Sequence, residues 1–301
     1  MRYGILTTCA ILTGCVLYGQ ETAPVGTAPV QPEDRAPIYR VTVISQTTKA
    51  VNYGHRTEPT KIDFHGTVLL PDARGLATVQ SQRGSVVIDS KFEHIPAPGR
   101  YGPQYLTYVL WAITPEGKAQ NLGELVLNSS DKGKLHVATN LQAFALIVTA
   151  EPYYAVSHPS GVVVMENQIR PDTVGKIEEM EARYDLLPVK PYVYNVDAAR
   201  AANAGSGPML SMGRYEATLA LYEAQNAVQI ARAEEVARYA PDTMDKAERL
   251  YQEAQNYFNQ KADNKLIVST AKEAAQAAED GRIIARKRNP ELETQEGSSG
   301  R

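Results

Sequence analysis

Between Ile38 and Met165 the chain alternates short runs of β-branched and aromatic residues with clusters of turn-forming residues, the pattern of an antiparallel sheet protein. The runs predict strands over Tyr39 to Ser45, Thr60 to Leu69, Ala77 to Gln82, Ser85 to Phe92, Leu106 to Thr114, Leu122 to Leu127, Lys134 to Val137, Ala143 to Ala150 and Gly161 to Glu166. Pro71-Asp72-Ala73-Arg74-Gly75, Gln82-Arg83-Gly84, Thr114-Pro115-Glu116-Gly117 and Ser130-Asp131-Lys132-Gly133 fall between them. They supply the preset φ of proline and the positive φ of glycine that tight turns need. Strands at this spacing point to a small immunoglobulin-like antiparallel β-sandwich over residues 38–166.

After that the period changes from two to between three and four. Asp172 to Tyr184 predicts one short helix inside a Pro/Gly/Ala-rich linker spanning 167–208. Residues 209–288 are rich in Ala, Glu, Gln, Arg and Lys, and breaks at Ala240-Pro241-Asp242 and Ala262-Asp263-Asn264 divide them into three helices over 210–239, 242–261 and 265–288. On the second, Met244, Ala247, Leu250, Tyr251, Ala254, Tyr257 and Phe258 make one apolar face. On the third, Leu266, Ala271, Ala274, Ala275, Ala278 and Ile283 make a face of smaller side chains, which predicts close antiparallel packing of the two, a helical hairpin. Helices of this composition also permit coiled-coil self-association. The fold class is thus a multi-domain β + α protein, a sandwich followed by an Ala-rich three-helix unit, with a polar tail over 289–301 that is expected to be disordered.

The N-terminal end adds a different kind of signal. Arg2 precedes an apolar stretch from Tyr3 to Leu12, well short of the roughly 20 residues a membrane helix needs, and then comes Leu12-Thr13-Gly14-Cys15. An export signal over 1–14 is expected. Residues 15–37 are polar and proline-punctuated and are expected to form a disordered tether, which at about 3.1 Å per residue reaches some tens of Å. Cys9 and Cys15 are the only cysteines, so the mature chain has no disulfide and no thiolate metal site.

Charge narrows the partners. The formal net charge is −3 with both signs interspersed, which argues against nucleic acid. Residues 209–288 hold twelve basic and twelve acidic side chains, expected to lie on a solvated face laced with weak ion pairs. No catalytic residue, metal site or cofactor is predicted. His55, His65, His94, His136 and His158 stand singly in different turns or strands, and the motifs of zinc proteases, serine hydrolases, phosphate-binding loops and calcium loops are absent. Glu178, Glu179 and Glu181 offer carboxylates, but on a helix the adjacent pair points to different faces. Tyrosine is abundant, 17 against 4 phenylalanines and one tryptophan. Tyr153, Tyr154, Tyr192 and Tyr194 cluster around the linker, where they serve either as a contact surface for a partner or glycan or as the packing between the two domains. Trp111, with Leu110 and Ile113 beside it on a central strand, is expected in the core and not as a ligand platform.

Leu12-Thr13-Gly14-Cys15 resembles the bacterial lipobox, in which the cysteine receives diacylglycerol, the signal is cut before it and the new amino terminus is acylated, typically with palmitate. The alternative is an ordinary cut near Gly19-Gln20. Val16, in place of the aspartate that retains enterobacterial lipoproteins in the inner membrane, favours an outer-membrane anchor facing the periplasm. Tyr239-Ala240-Pro241-Asp242, with Ala231-Arg232-Ala233-Glu234 before it and Ala271-Lys272-Glu273-Ala274-Ala275 after it, is similar to domain-of-unknown-function family 4398, Ala-rich helical domains of envelope lipoproteins; the likeness covers about 215 to 285. Longer relatives carry a peptidoglycan-binding neighbour domain, which the likeness does not include. Tyr108-Val109-Leu110-Trp111, Leu122-Gly123-Glu124-Leu125, Phe144 to Thr149 with Glu151-Pro152, and Pro159-Ser160-Gly161 are similar in order to the extracytoplasmic sandwich of anti-sigma-K factors, over about 75 to 165. These resemblances imply a non-enzymatic envelope lipoprotein, held to the membrane through Cys15, that binds an envelope protein or peptidoglycan-associated partner as a structural or assembly component. A periplasmic sensory binding protein is the rival.

Overall fold

The computed structural model describes residues 47–54, 58–82, 84–173, 176–181 and 211–289. Cys15, Tyr192, Tyr194, His55 and the strand expected over Tyr39 to Ser45 lie outside them. The strands are β1 (Thr47–Asn52), β2 (Thr60–Gly66), β3 (Arg74–Gln82), β4 (Ser85–Glu93), β5 (Thr107–Ile113), β6 (Ala119–Leu125), β7 (Gly133–Thr139), β8 (Ala143–Glu151), β9 (Val163–Ile169) and β10 (Lys176–Glu181).

All pairs are antiparallel. From β8 the ladder runs through β9, β2, β3 and β4 to β7, and in the other direction through β5 to β6. β1 joins the start of β8 at Val51↔Phe144 and carries β10 on its other side. Because β9 bridges β8 to β2, the ladder does not divide there, and the sheet curls until its two ends meet. Thr139 on β7 donates a hydrogen bond to Gln120 on β6 at 2.7 Å, which makes the sheet nearly barrel-like. Its interior is filled from the inward positions of β1 to β9, with Phe64 and Phe92 edge to face at 4.9 Å among Ile62, Ile88, Leu110, Leu146 and Val148.

The short helix expected over Asp172 to Tyr184 is replaced by strand β10, whose register pairs Val51 with Ile177 and Ala50 with Glu178. Ile177 and Met180 have helical spacing, but β1 offers a strand edge that six residues can satisfy, and tertiary pairing overrides a short local preference. The turn before β10 is pinned. Arg170 binds Asp63 and Asp172, and Thr173 donates to the Lys61 carbonyl at 2.7 Å.

The C-terminal part is helical: α1 (Met212–Ala233), a single turn α2 (Val236–Tyr239), α3 (Pro241–Asn259) and α4 (Asn264–Arg288). Ser211 and Asp263 cap α1 and α4 with side-chain oxygens, Pro241 opens α3, and Arg286, Lys287 and Arg288 sit in the last turn of α4, where the helix dipole favours cations. The first expected helix breaks at Glu235, which takes a left-handed φ of 56°. The helices run up, down and up. A Cβ on Gly213, at the start of α1, would meet Asn264 at the start of α4, and one on Gly281, late in α4, would meet Val236 and Thr243.

β5 and β8 explain how the two parts join. Both are apolar over most of their length, with Thr107 on β5 and Thr149 and Glu151 on β8 as the polar members, and both of their faces are buried. Tyr108, Leu110 and Ala112 point into the curled sheet with Phe144, Leu146 and Val148, while Val109, Trp111 and Ile113 point outward with Ala145 and Ile147. α1 and α4 cover that outer face through Ala220, Ala224, Ala227, Ala271, Ala274, Ala275 and Ala278, so sheet and helices share one core. α3 lies outermost and buries only Met244, Ala247 and Ala254. α1 is buried nearly all round along its central turns, while α4 keeps one exposed stripe through Leu266, Ser269, Glu273, Gln276 and Asp280; Glu223, Glu279, Arg282 and Arg286 fall on the covered sides and do not occupy the solvated face their charge predicts.

Candidate functional site

The chemistry-bearing side chains that the fold brings together lie in the seam between the sheet and the α1/α4 layer. They form three adjoining groups. In the first, Tyr153, in the loop after β8, donates to Glu279 on α4 at 2.5 Å, and Arg282 one turn further on reaches three partners. Its guanidinium takes Glu234, just past the end of α1, in a two-pronged pair at 2.9 and 2.7 Å, Glu279 at 2.6 Å, and the Tyr153 hydroxyl. Arg282 is 0% exposed. The Ser157 N–H donates to the other Glu279 oxygen at 3.0 Å, and Arg286 extends the group to His158 at 3.1 Å. Burial penalises a charge on Glu279, but Arg282, Ser157 and Tyr153 outweigh it and hold the carboxyl below the usual range. Burial likewise opposes the charge on Arg282, and Glu279, Tyr153 and Glu234 more than offset it, so the guanidinium is held charged.

The second group joins β5, β6, α1 and α4. Thr107 donates to Glu124 at 2.8 Å, and Lys272 from α4 binds the other Glu124 oxygen at 2.7 Å while lying 4.7 Å over the Tyr154 ring. Glu223 on α1 faces Glu124 and is wholly buried. Two ionised carboxylates have no proton to share, and neither Glu223 oxygen meets a donor. Burial first, and then the neighbouring Glu124, drive the Glu223 carboxyl well above its ordinary range, so it enters the seam as a neutral acid able to donate to Glu124.

The third group is a short relay under the helices. The indole N–H of Trp111 donates to Thr149 at 2.7 Å, Thr149 donates to Glu151, and the Ser160 N–H donates to the same Glu151 oxygen at 2.7 Å. The second Glu151 oxygen has no partner. Burial pushes this carboxyl up to about 8, against the lowering effect of Ser160 and Thr149. Backbone clamps complete the seam. Asn226 on α1 donates to the Gln104 and Pro152 carbonyls at 3.2 and 3.1 Å, and Asn121 donates to those of Tyr154 and Val156, both at 2.8 Å.

This geometry assigns places to the residues singled out from the sequence. Tyr153 is entirely buried and points into the helices, so it has no surface to offer an outside partner; Tyr154 is half-buried with its hydroxyl on the Lys272 carbonyl at 2.9 Å. Both thus take part in the packing between the sheet and the helices. Trp111 is buried on β5. His136 pairs with Asp89 across β4 and β7 at 2.5 Å on the exposed sheet face, and His158 is half-buried beside Ser157. Glu178, Glu179 and Glu181 fall on strand β10 and not on a helix. Among the described residues no group of three or more His, Cys, Asp or Glu side chains is placed to hold a metal ion, and no helix is long and apolar enough to cross a membrane. An open depression on α3 is lined by Lys246, Arg249, Leu250, Gln252, Glu253 and Asn256, all from that one helix.

Glu151, Glu223, Glu234, Glu279 and Arg282 were not legible as a site from sequence. A signal for some of them exists. Glu279 and Arg282 fall four residues after Ala275 and Ala278, and Glu223 falls three after Ala220 and four before Ala227, so each charge sits on an apolar stripe. Set against protein-family models, curated proteins and solved structures, the chain matches none.

Proposed function

We propose that this protein is a non-enzymatic cell-envelope lipoprotein, anchored through Cys15 and acting as a structural or assembly component that binds a protein or wall partner. The observation that carries the proposal for the folded part is how its buried polar groups are used. Tyr153, Glu279, Arg282 and Glu234 bond to one another across the seam, and the buried Glu124 carboxylate takes the part-exposed Lys272, joining sheet and helices into one body that presents its outer surfaces. Groups spent on internal bonds and shut away from solvent do not meet a substrate, whereas general acid–base work needs them within reach of one. The export signal, Leu12-Thr13-Gly14-Cys15 and the proline-punctuated residues 21–37 support the tethered placement, outer membrane and periplasm-facing. The resemblances to family 4398 and to the anti-sigma-K sandwich belong to this proposal, as does the finer immunoglobulin-like assignment of the sheet, which the buried tryptophan on a central strand supports.

The test is the intact mass and membrane partitioning of the mature native protein beside a Cys15→Ser variant. A diacyl- or triacyl-sized addition at residue 15, lost together with membrane association in the variant, is the expected result, since two or more chains anchor stably. An unmodified mature chain beginning near Glu21 would overturn the anchored reading and put a soluble periplasmic sensory binding protein in its place.

A further inference from the structure

The seam holds two wholly buried carboxyls without a dedicated cation, Glu151 at the end of β8 and Glu223 in the middle of α1, and both sit between the sheet and the helices that cover it. Around Glu151 stand Thr149 and the Ser160 N–H, with Trp111 bonded to Thr149 and Glu279 on α4 as a charge that acts on it. Around Glu223 stand Glu124 on β6, Thr107 on β5 and Lys272 on α4, whose ammonium is already taken by Glu124. A neutral Glu223 has Glu124 to donate to, Glu151 accepts from Thr149 and Ser160 on one oxygen while its other has no partner, and in both places an ionised carboxyl would stand buried without a cation of its own. An apolar patch of Val109, Trp111, Ile113, Ala145 and Ile147 on β5 and β8 lies beneath the helices.

We propose that the helical layer is a proton-governed cap on the β5–β8 face: the seam is closed while Glu151 and Glu223 carry protons, and their ionisation releases α1 and α4 from the sheet. Release hydrates both carboxylates and exposes the outward row Val109, Trp111, Ile113 and Ile147. This reading is independent of how the chain is anchored.

The sign follows from linkage. In the closed form Glu151 holds its proton to about pH 8, while in water a glutamate releases it near 4.3. Opening therefore releases a proton between these limits and is favoured as pH rises. Glu223 acts in the same direction. The Tyr153, Glu279, Arg282, Glu234, Arg286 and His158 group acts oppositely at its Glu279 carboxyl, which favours the closed form above about pH 4 and keeps the cap from opening at neutral pH as freely as the two acids alone would dictate.

Trp111 is the only tryptophan in the chain and lies under the cap, so its quenching by acrylamide reads the opening directly. The experiment measures that quenching in the full-length protein from pH 5 to pH 9, with amide exchange of α1, α4 and the β3–β4 pair followed in parallel. The expected result is a rise in Trp111 quenching. Corrected for intrinsic exchange, α1 and α4 protection should fall about tenfold per pH unit from Glu151 alone until pH approaches its titration, while β3–β4 protection holds. Glu151→Gln and Glu223→Gln, which keep the neutral shape, should each flatten the profile. A pH-independent Trp111 in the wild type, a rise that persists unchanged in both variants, or loss of β3–β4 protection in step with the cap would each overturn the proposal. Should a variant fail to fold, the wild-type comparison of Trp111 with β3–β4 decides by itself.

Discussion

Replacing Arg282 with methionine keeps most of the side-chain volume and removes the cation on which the first polar group depends. Glu234 loses a two-pronged partner, Glu279 loses its contact at 2.6 Å, and the Tyr153 hydroxyl loses a donor, all inside a seam where Arg282 itself is 0% exposed. Breaking a buried pair by deleting one partner costs about 3 to 5 kcal/mol, because the remaining charge stays buried without compensation. For a folded part of this size each kcal/mol lowers the melting midpoint by about 2 to 4 °C, so a fall of about 6 to 20 °C is expected. The pH dependence separates this cause from simple loss of packing. In the wild type the Glu279 carboxyl is held below its usual range, and its contribution is present above about pH 4 and lost as pH falls. Without Arg282, burial dominates and pushes that carboxyl up, so the variant relieves its deficit by taking a proton. The deficit is therefore largest near pH 7 and shrinks toward pH 4. Urea unfolding followed by Trp111 fluorescence and by circular dichroism measures it at both pH values. A deficit under about 1 kcal/mol at pH 7, or an equal deficit at both, refutes the reasoning.

The alanine seam makes a second prediction. Ala274→Leu or Ala275→Leu inserts methylenes where both residues are fully buried between helices and sheet, and should cost about 1 to 3 kcal/mol in thermal or urea unfolding; unchanged stability in both would reject the tight packing described for α4. At the turn after β2, a Cβ on Gly66 would stand 1.7 Å from the Leu70 carbonyl oxygen. Gly66→Ala should cost at least as much as overpacking elsewhere, about 1 to 3 kcal/mol, and a wild-type melting curve would show that the turn relaxes freely.

Much of the architecture could be read from period alone. Eight of the ten strands of the structure coincide with apolar runs, since each run alternates or is bounded by Gly and Pro turns, and the three helical stretches break where Pro241 and Asp263 stand. What period could not supply is partner identity. β10 carries a helix-compatible spacing and becomes a strand because β1 is there to pair with it, six residues against six. The joining of the two parts was similarly hidden. β5 and β8 read as mostly apolar runs, a pattern that announces burial on both faces but does not say that the second face is covered by helices a hundred residues later.

The polar seam was the least legible part, for a physical reason. A charge on a helix is ordinarily evidence of a solvated face, because burying it costs several kcal/mol unless a partner is fixed in place. In this chain the partners come from distant segments: Tyr153 and Arg282 are 129 residues apart, and Lys272 and Glu124 are 148 apart. No local window contains both members, so spacing rules for neighbouring helical residues return the solvated reading for each alone. The short-range contact that does exist, Glu279 with Arg282 at three residues, looks the same on a surface as in a core. What distinguishes it is its setting, with small apolar residues one turn away on either side in Ala275, Ala278 and Ala285. α4 does have a solvated stripe, Leu266, Ser269, Glu273, Gln276 and Asp280, and Glu279 and Arg282 stand off it, on the side that carries those alanines, so the charge pair follows the apolar stripe into the core.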